Sequence, residues 1–121
     1  MPRTTDLLVV GAGVMGAWTA LRARRGGREV TLLDAWGSGH SRASSGDETR
    51  IIRSGHGPDR MLTTWSRRSR EDWIEAGETW GLRLLAQNGV LWFAREAGGF
   101  EDQSAVVFDE LSIPHERLEA D

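Results

Sequence analysis

The sequence of 121 residues predicts an α/β fold that begins with a strand, a helix and a second strand. Leu7–Val10 is a continuous apolar run, as expected of a parallel strand that is buried on both faces. The glycine-rich segment Gly11–Gly16 follows it directly and opens a helical pattern. A second apolar run, Val30–Leu33, ends at the acidic residue Asp34. Together these observations predict a βαβ unit, whose crossover we expect to be right-handed.

The helix between the two strands should run from Gly13 to about Arg25. Small side chains such as that of Ala17 would let it pack closely on the sheet. Gly26 and Gly27 follow, and glycine is the residue that most readily ends a helix in the left-handed conformation. The sequence therefore predicts a helix of about three turns with a glycine cap.

The segment Gly11–Gly16 has the spacing G-x-G-x-x-G. In a strand–turn–helix context this spacing permits a tight turn and the close approach of a pyrophosphate to the helix N-terminus. Asp34 is then placed to accept hydrogen bonds from ribose hydroxyls. The context favours a dinucleotide site over a glycine-rich turn in an unrelated α/β domain. The residues predicted to bind the cofactor here are Gly11, Ala12, Gly13, Val14, Met15, Gly16, Asp34 and Ala35.

The pattern changes after the second strand. Residues 35–58 are rich in glycine and serine and show no periodicity, and a long loop in a compact domain is usually functional or disordered. Apolar residues in 60–80 recur at helical spacing, so we expect an amphipathic helix whose tryptophans are core anchors rather than cofactor contacts.

Asn88-Gly89 separates two apolar segments, 84–87 and 90–93. This dipeptide predicts a two-residue β-hairpin, in which both turn residues have positive φ. Antiparallel pairing here would begin a second structural layer. A last helix is predicted over 100–111, and 115–118 is interpreted as a short strand or extended piece.

The composition narrows the class of protein. The net charge of −3 gives no reason to expect nucleic acid as a partner. The chain has no cysteine, which excludes a disulfide framework, a thiolate metal site and a cysteine nucleophile. We see neither a signal peptide nor an apolar stretch of about 20 residues that could span a membrane. The expectation is a soluble, cytoplasmic protein with no metal site.

The segment Ser44–Arg53, Ser-Ser-Gly-Asp-Glu-Thr-Arg-Ile-Ile-Arg, is the second informative motif. Taken alone, its two arginines fit ordinary surface charges as well as ligands of an anion. With the glycine fingerprint, however, this segment resembles the N-terminal part of the FAD-dependent amine oxidases. These form the sarcosine oxidase and N-methyltryptophan oxidase group of the D-amino-acid-oxidase-like superfamily. The resemblance covers essentially the whole chain.

The resemblance implies a Rossmann-like FAD-binding domain followed by the start of an antiparallel substrate-domain sheet. Residues 1–80 would be the FAD-binding part and 81–121 the start of the substrate domain. The glycine turn would hold the FAD pyrophosphate, with Asp34 on the ribose. Ser44 and Ser45 would lie against the pyrophosphate and ribityl region. Thr49 and Arg50 would lie close to the flavin ring, and Arg53 would bind the substrate carboxylate.

The implied activity is oxidation of a secondary amine or N-methyl amino acid to an imine, with reduction of oxygen to hydrogen peroxide. Sarcosine oxidases commonly carry histidine where this chain has Ser45-Gly46, which argues against sarcosine itself. Family members are about three times as long, and Leu118–Asp121 resembles the N-cap of a helix. We therefore expect an N-terminal fragment that is inactive alone.

Two other functions use the same features. An NAD-dependent dehydrogenase would use the glycine turn and Asp34 equally well. A non-catalytic nucleotide-binding module would require the chain to form a stable fold at this length. The Thr49–Arg53 stretch argues against the dehydrogenase, and the unpaired hairpin and half-built sheet argue against a module that is complete at this length.

Overall fold

The computed structural model describes residues 4–46 and 48–118. The chain forms two compact units, Met1–Arg50 and Ile51–Asp121. Asp47 and the last three residues of the predicted N-cap segment lie outside the described residues.

The first unit is a βαβ structure, as predicted. Strand β1 comprises Leu7–Val10, helix α1 comprises Val14–Arg25 and strand β2 comprises Val30–Leu33. The two strands pair in parallel, in a register that runs from Leu7 opposite Val30 to Val10 opposite Leu33. Parallel pairing brings the carboxyl ends of both strands to the same edge of the sheet, so Gly11 and Asp34 start there side by side.

Two glycines end α1. The N–H of Gly27 donates to the carbonyl of Arg24 at 3.0 Å, and the N–H of Arg28 donates to the carbonyl of Ala23 at 3.1 Å. Gly27 has φ of +83°, a conformation that strains most side chains. These two bonds satisfy carbonyls that the helix leaves without partners, which is the glycine cap predicted for this helix.

Only one face of the two strands is covered. Helix α1 packs against β1 and β2, and Leu7 and Val9 are partly buried. Leu8 is 52% exposed and Val10 is 79% exposed. The expectation that the first strand is buried on both faces is therefore wrong. The second face is exposed because the sheet of β1 and β2 is covered by a single helix, which packs on one side only.

Gly16 sets the distance between α1 and the turn that precedes it. A Cβ at this position would lie 1.8 Å from the carbonyl oxygen of Gly11 and 3.4 Å from Cγ1 of Val9. Because the first atom is backbone, it cannot move aside. The third glycine of the fingerprint is thus required by close packing of helix on strand.

The second unit contains two helices, α2 over Arg60–Trp80 and α3 over Phe100–Glu110. Asp59 caps α2 by accepting the Leu62 N–H at 2.9 Å. The fully buried Oγ1 of Thr63, also on α2, has no hydrogen-bond partner. Both helices agree with the sequence prediction to within a residue.

Two of the three tryptophans of α2, Trp65 and Trp80, are not core anchors, whereas Trp73 is partly buried. Trp65 is 59% exposed and Trp80 is 49% exposed, whereas Ala76 and Gly77 are buried. A Cβ on Gly77 would lie 2.8 Å from the carbonyl oxygen of Leu82, so the chain that leaves the helix crosses directly over it. Helical spacing identified the amphipathic helix but not which of its residues pack, because small residues allow the closer contact.

The predicted hairpin and its antiparallel sheet are not formed. No strand is assigned between residues 81 and 98 or between 113 and 118. Gly89 has φ of +74°, but among the described residues only Ser112 is a non-glycine with positive φ, so Asn88 lacks the required conformation. Leu91 is 65% exposed and Phe93 is 86% exposed. An isolated two-stranded ribbon is marginal in water, and this segment buries too little apolar surface to stabilise one.

We predict that Gly16→Ala destabilises the first unit by about 1–3 kcal/mol, because the added methyl overlaps the Gly11 carbonyl. The measurement is urea unfolding followed by far-ultraviolet circular dichroism. Gly13→Ala is the matched control: its Cβ would meet only the Ser45 hydroxyl, at 3.9 Å. It should cost no more than the difference between glycine and alanine at an N-cap, about 0.5–1 kcal/mol. Equal losses in the two variants would contradict the packing argument.

Candidate functional site

The turn between β1 and α1 leaves clear space above its first glycines. Gly11 has φ of +100°, and its N–H donates to the carbonyl of Leu33 at 2.7 Å. No heavy atom lies within 4 Å of a Cβ built on Gly11, and only the Ser45 hydroxyl approaches that of Gly13. A bulky ligand group can therefore reach the backbone here, whereas a larger side chain at either position would fill part of the space.

The N-terminus of α1 faces this space. Gly13 is the N-cap residue and has no side chain of its own to cap the helix, and the first turn holds no acidic residue. By helix geometry the amides of Gly13, Met15 and Gly16 have no intrahelical acceptor. The partial positive charge of a helix N-terminus favours an anion, so this end of α1 suits a phosphate group.

Asp34 ties the end of β2 to the glycine turn. Its Oδ2 accepts the Ala12 N–H at 2.7 Å, and its Oδ1 accepts the Trp36 N–H at 2.8 Å. The hydrogen bond from the Ala12 amide, and after it that from the Trp36 amide, lower the pKa of Asp34; burial opposes them by less, and the nearby His40 adds a still smaller lowering. The carboxylate is thus ionised at neutral pH and fixed in direction. Each oxygen keeps lone pairs that can accept ribose hydroxyls.

His40 approaches the same carboxylate. Its Nε2 lies 3.5 Å from Oδ1 of Asp34. Its Nδ1 accepts the Arg42 N–H at 3.1 Å, which leaves Nε2 directed toward Asp34. The Arg42 guanidinium lies 4.2 Å from the centre of the Trp36 ring. The residues after β2 thus form a short ordered loop around the strand-end carboxylate.

The Ser44–Arg50 segment reaches the start of α1 through one hydroxyl. Ser45 Oγ accepts the Val14 N–H at 3.2 Å. The Arg50 guanidinium donates to the carbonyls of Ser44 at 2.7 Å and Ser45 at 3.3 Å, and to that of Gly46. Glycine turn, strand-end carboxylate and serine loop are therefore brought together within the first unit.

The remaining predicted site residues lie elsewhere or are exposed. Ala35 and Thr49 are exposed residues of the first unit. Arg53 belongs to the second unit, where its guanidinium lies 5.6 Å from the ring centre of Trp92 and 5.8 Å from that of Phe100. A guanidinium at such distances from two ring faces is held by cation–π attraction, which restricts the orientation of its planar set of donors.

Sequence reasoning missed three of these contacts. Trp36 was detectable, because an aspartate often accepts the amide two residues further along the chain. His40 carried no signal, since a single histidine in a loop has no pattern. The carbonyl contacts of Arg50 depend on how the loop folds and cannot be seen in residue types.

A parallel βαβ unit with an open glycine turn and a strand-end carboxylate defines the dinucleotide-binding class of α/β proteins. The model of the FAD dependent oxidoreductase family, DAO, matches residues 6–121. The chain belongs to this family.

Its relatives carry consistent names. Monomeric sarcosine oxidase from Bacillus sp. (strain B-0618) is 31% identical over 117 residues, which cover 96% of this chain and 30% of the relative. Peroxisomal sarcosine oxidase from Mus musculus is 30% identical over 93% of the chain and 29% of the relative. N-methyl-L-tryptophan oxidase from Salmonella enteritidis is 26% identical over 95% of the chain and 31% of the relative. The chain thus spans about three tenths of the length of these relatives.

Residues 4–46 and 48–118 contain neither a cluster of metal ligands nor a membrane-spanning helix. No group of three or more histidine, cysteine, aspartate or glutamate side chains is arranged to hold a metal ion. No helix of the same residues is long and apolar enough to cross a bilayer.

We predict that Asp34→Asn lowers stability at neutral pH, because an amide has one acceptor oxygen and cannot accept both the Ala12 and Trp36 amides. Since the folded pKa of Asp34 is lowered, its contribution exists above the ordinary carboxyl range and disappears as the pH falls below it. The variant should therefore lose less stability on acidification than the parent. Urea unfolding between pH 7 and pH 3 measures this.

The control for that experiment is Glu116→Gln, which likewise replaces a carboxylate by an amide, at an exposed position of the second unit. It should keep the pH dependence of the parent. If Asp34→Asn also keeps it, the strand-end carboxylate does not contribute to stability in the way its contacts indicate.

Proposed function

We propose that this chain forms the ADP-binding part of an FAD-dependent amine oxidase. The observation that supports it best is the open glycine turn, bounded by α1 on one side and by the Asp34 carboxylate that holds Ala12. The donors and acceptors present fit the ADP half of FAD: helix amides suit a pyrophosphate and a fixed carboxylate suits a ribose diol. Membership of an FAD-dependent family agrees with this chemistry.

The same proposal gives roles to the predicted site residues. Gly11–Gly16 and the serine loop would hold the pyrophosphate, and Asp34 and Ala35 would lie along the adenosine ribose. Thr49 and Arg50 would lie toward the flavin ring. Residues 1–80 would form the FAD-binding part, and residues 81–121 would begin the substrate domain. When bound, FAD would accept a hydride from the carbon beside a secondary amine and pass the electrons to oxygen, which yields an imine and hydrogen peroxide.

Arg53 is proposed to bind the carboxylate of an N-methyl amino acid. A planar guanidinium can donate two parallel hydrogen bonds to a carboxylate, and contact with Trp92 and Phe100 would hold its plane in place. The names of the relatives, which include sarcosine oxidases and N-methyl-L-tryptophan oxidases, support this class of substrate. Ser45-Gly46 in place of histidine favours a member of the class other than sarcosine.

We predict that the chain binds ADP and FAD, and that 2′-phospho-ADP binds at least about tenfold more weakly because the Asp34 carboxylate repels a phosphate in place of the ribose hydroxyl. Isothermal titration calorimetry measures all three affinities. Preference for the phosphorylated ligand would contradict the role of Asp34. A bound NAD with no affinity for FAD would instead support the dehydrogenase alternative.

Gly13→Val should abolish binding of ADP, because its branched side chain would occupy the space above the turn. Ala17→Val is the matched control, since it introduces valine at a residue of α1 that is exposed rather than packed on the sheet as the sequence predicted. It should bind ADP like the parent. Equal binding by the two variants would remove the glycine turn from the proposed site.

We predict that Arg53→Lys raises KM for amino-acid substrates in the flavin-loaded oxidase that carries this segment. The lysine keeps the charge but loses the planar fork, which costs about 1–3 kcal/mol. Amines without a carboxylate should be affected little, as steady-state oxygen consumption would reveal. Arg95→Lys, at an exposed position of the same unit, is the control and should behave like the parent. An unchanged KM for both substrate types would contradict the assignment of Arg53.

A further inference from the structure

We infer that Arg50 positions the dinucleotide site by fixing the backbone of Ser44–Gly46, and through it the Ser45 hydroxyl, at the N-terminus of α1. The inference rests on the proposed function, because it concerns the same ADP site. It gives Arg50 a task that is separate from any contact with the flavin ring.

The first support is the set of acceptors that the Arg50 guanidinium contacts. It donates to three consecutive carbonyls, those of Ser44, Ser45 and Gly46. Arginine offers five N–H donors in one rigid plane, so a single side chain can bind several carbonyls at once. Without this cation, three carbonyl dipoles would stand together beside a site for a negatively charged ligand.

The loop also has its own turns, which Arg50 joins. The N–H of Ala43 donates to the carbonyl of His40 at 3.1 Å, and the N–H of Gly46 donates to the carbonyl of Ala43 at 2.8 Å. A Cβ on Gly46 would lie 3.1 Å from the Ala43 carbonyl oxygen, so the chain is tightly folded here. The Arg50 guanidinium binds the carbonyls that these turns leave pointing to one side, and so holds the folded segment in place.

Ser45 carries the effect to the nucleotide site. Its Oγ accepts the Val14 N–H at 3.2 Å and lies 3.9 Å from where a Cβ on Gly13 would be. A hydroxyl that accepts one hydrogen bond still has its own proton to donate. Ser45 is therefore placed to donate to a phosphate oxygen over the glycine turn, provided that its backbone is held where it is.

ADP separates this role from a role at the flavin, because ADP has no flavin ring. The experiment measures ADP affinity by calorimetry for the parent chain, Arg50→Lys, Ser45→Ala and the double variant. Arg50→Lys keeps the positive charge and loses the fork, so any weakening reports on geometry. Arg67→Lys is the matched control, since Arg67 donates to a single backbone carbonyl, that of Leu111, in the second unit.

We expect Arg50→Lys and Ser45→Ala each to weaken ADP binding about tenfold, the effect of losing one to two net hydrogen bonds. The double variant should bind no more weakly than the weaker single variant, because both substitutions interrupt the same path. Arg67→Lys should bind like the parent. Unfolding curves recorded alongside should show that all variants remain folded at the titration temperature.

Three outcomes would overturn the inference. One is parental ADP affinity in Arg50→Lys, which would leave the arginine only its expected place near the flavin ring. Another is additive losses in the double variant, which would mean that Arg50 and Ser45 act separately. The third applies if Arg50→Lys does not fold: unchanged ADP affinity in Ser45→Ala would then show that the Ser45 hydroxyl does not contribute to the ADP site. Failure of the parent chain to bind ADP would instead overturn the proposed function, a result that is distinct from the other three.

Discussion

The first unit depends on how the glycine turn is fastened to the end of β2. Gly11 donates to the Leu33 carbonyl and Ala12 donates to the Asp34 carboxylate. The first bond continues the parallel ladder beyond the strands, and the second closes the turn with a charged acceptor, which makes a stronger bond than a neutral one. Because α1 starts two residues later, these two bonds also set the direction of the helix. The amides at its N-terminus are thereby directed over the carboxyl edge of the sheet.

The extent to which the sequence predicted the fold follows the range of the interactions. Both strands and all three helices were predicted to within a residue or two, because the glycine cap of α1 and the apolar spacing act over a few positions. The hairpin at Asn88-Gly89 was wrong. A two-residue turn is a local preference, but a sheet needs a partner surface, and Leu91 and Phe93 have none among the described residues. Trp65 and Trp80 of α2 are exposed for a similar reason: helical spacing predicts the helix but not which of its side chains find a surface to pack against.

In the candidate site too, local features could be predicted from the sequence and long-range contacts could not. The glycine turn and Asp34 could be predicted, because glycine is needed where the backbone turns tightly and a carboxylate is needed where ribose hydroxyls are bound. The serine loop was suggested by family resemblance, but its link to α1 through the Ser45 hydroxyl spans 31 positions of sequence. Arg50 shows the limit most clearly, since its contacts are with backbone carbonyls, and a carbonyl has the same chemistry in every residue. Which carbonyls a guanidinium meets is decided only by the folded path of residues 43–46.

The short sequence separation within the βαβ unit has a consequence for the order of events in folding. Every residue of the ADP site proposed in the first unit, from Gly11 to Arg50, lies within about 40 positions of every other, so the loops that must close are short and cost little entropy. Small domains fold in about microseconds to seconds, whereas synthesis adds only about 5–20 residues per second. We expect the turn, the helix and the strand-end carboxylate to assemble while later segments are still being made. A nucleotide cofactor would then meet a formed adenylate site early, and its binding would stabilise a sheet of only two strands during that interval.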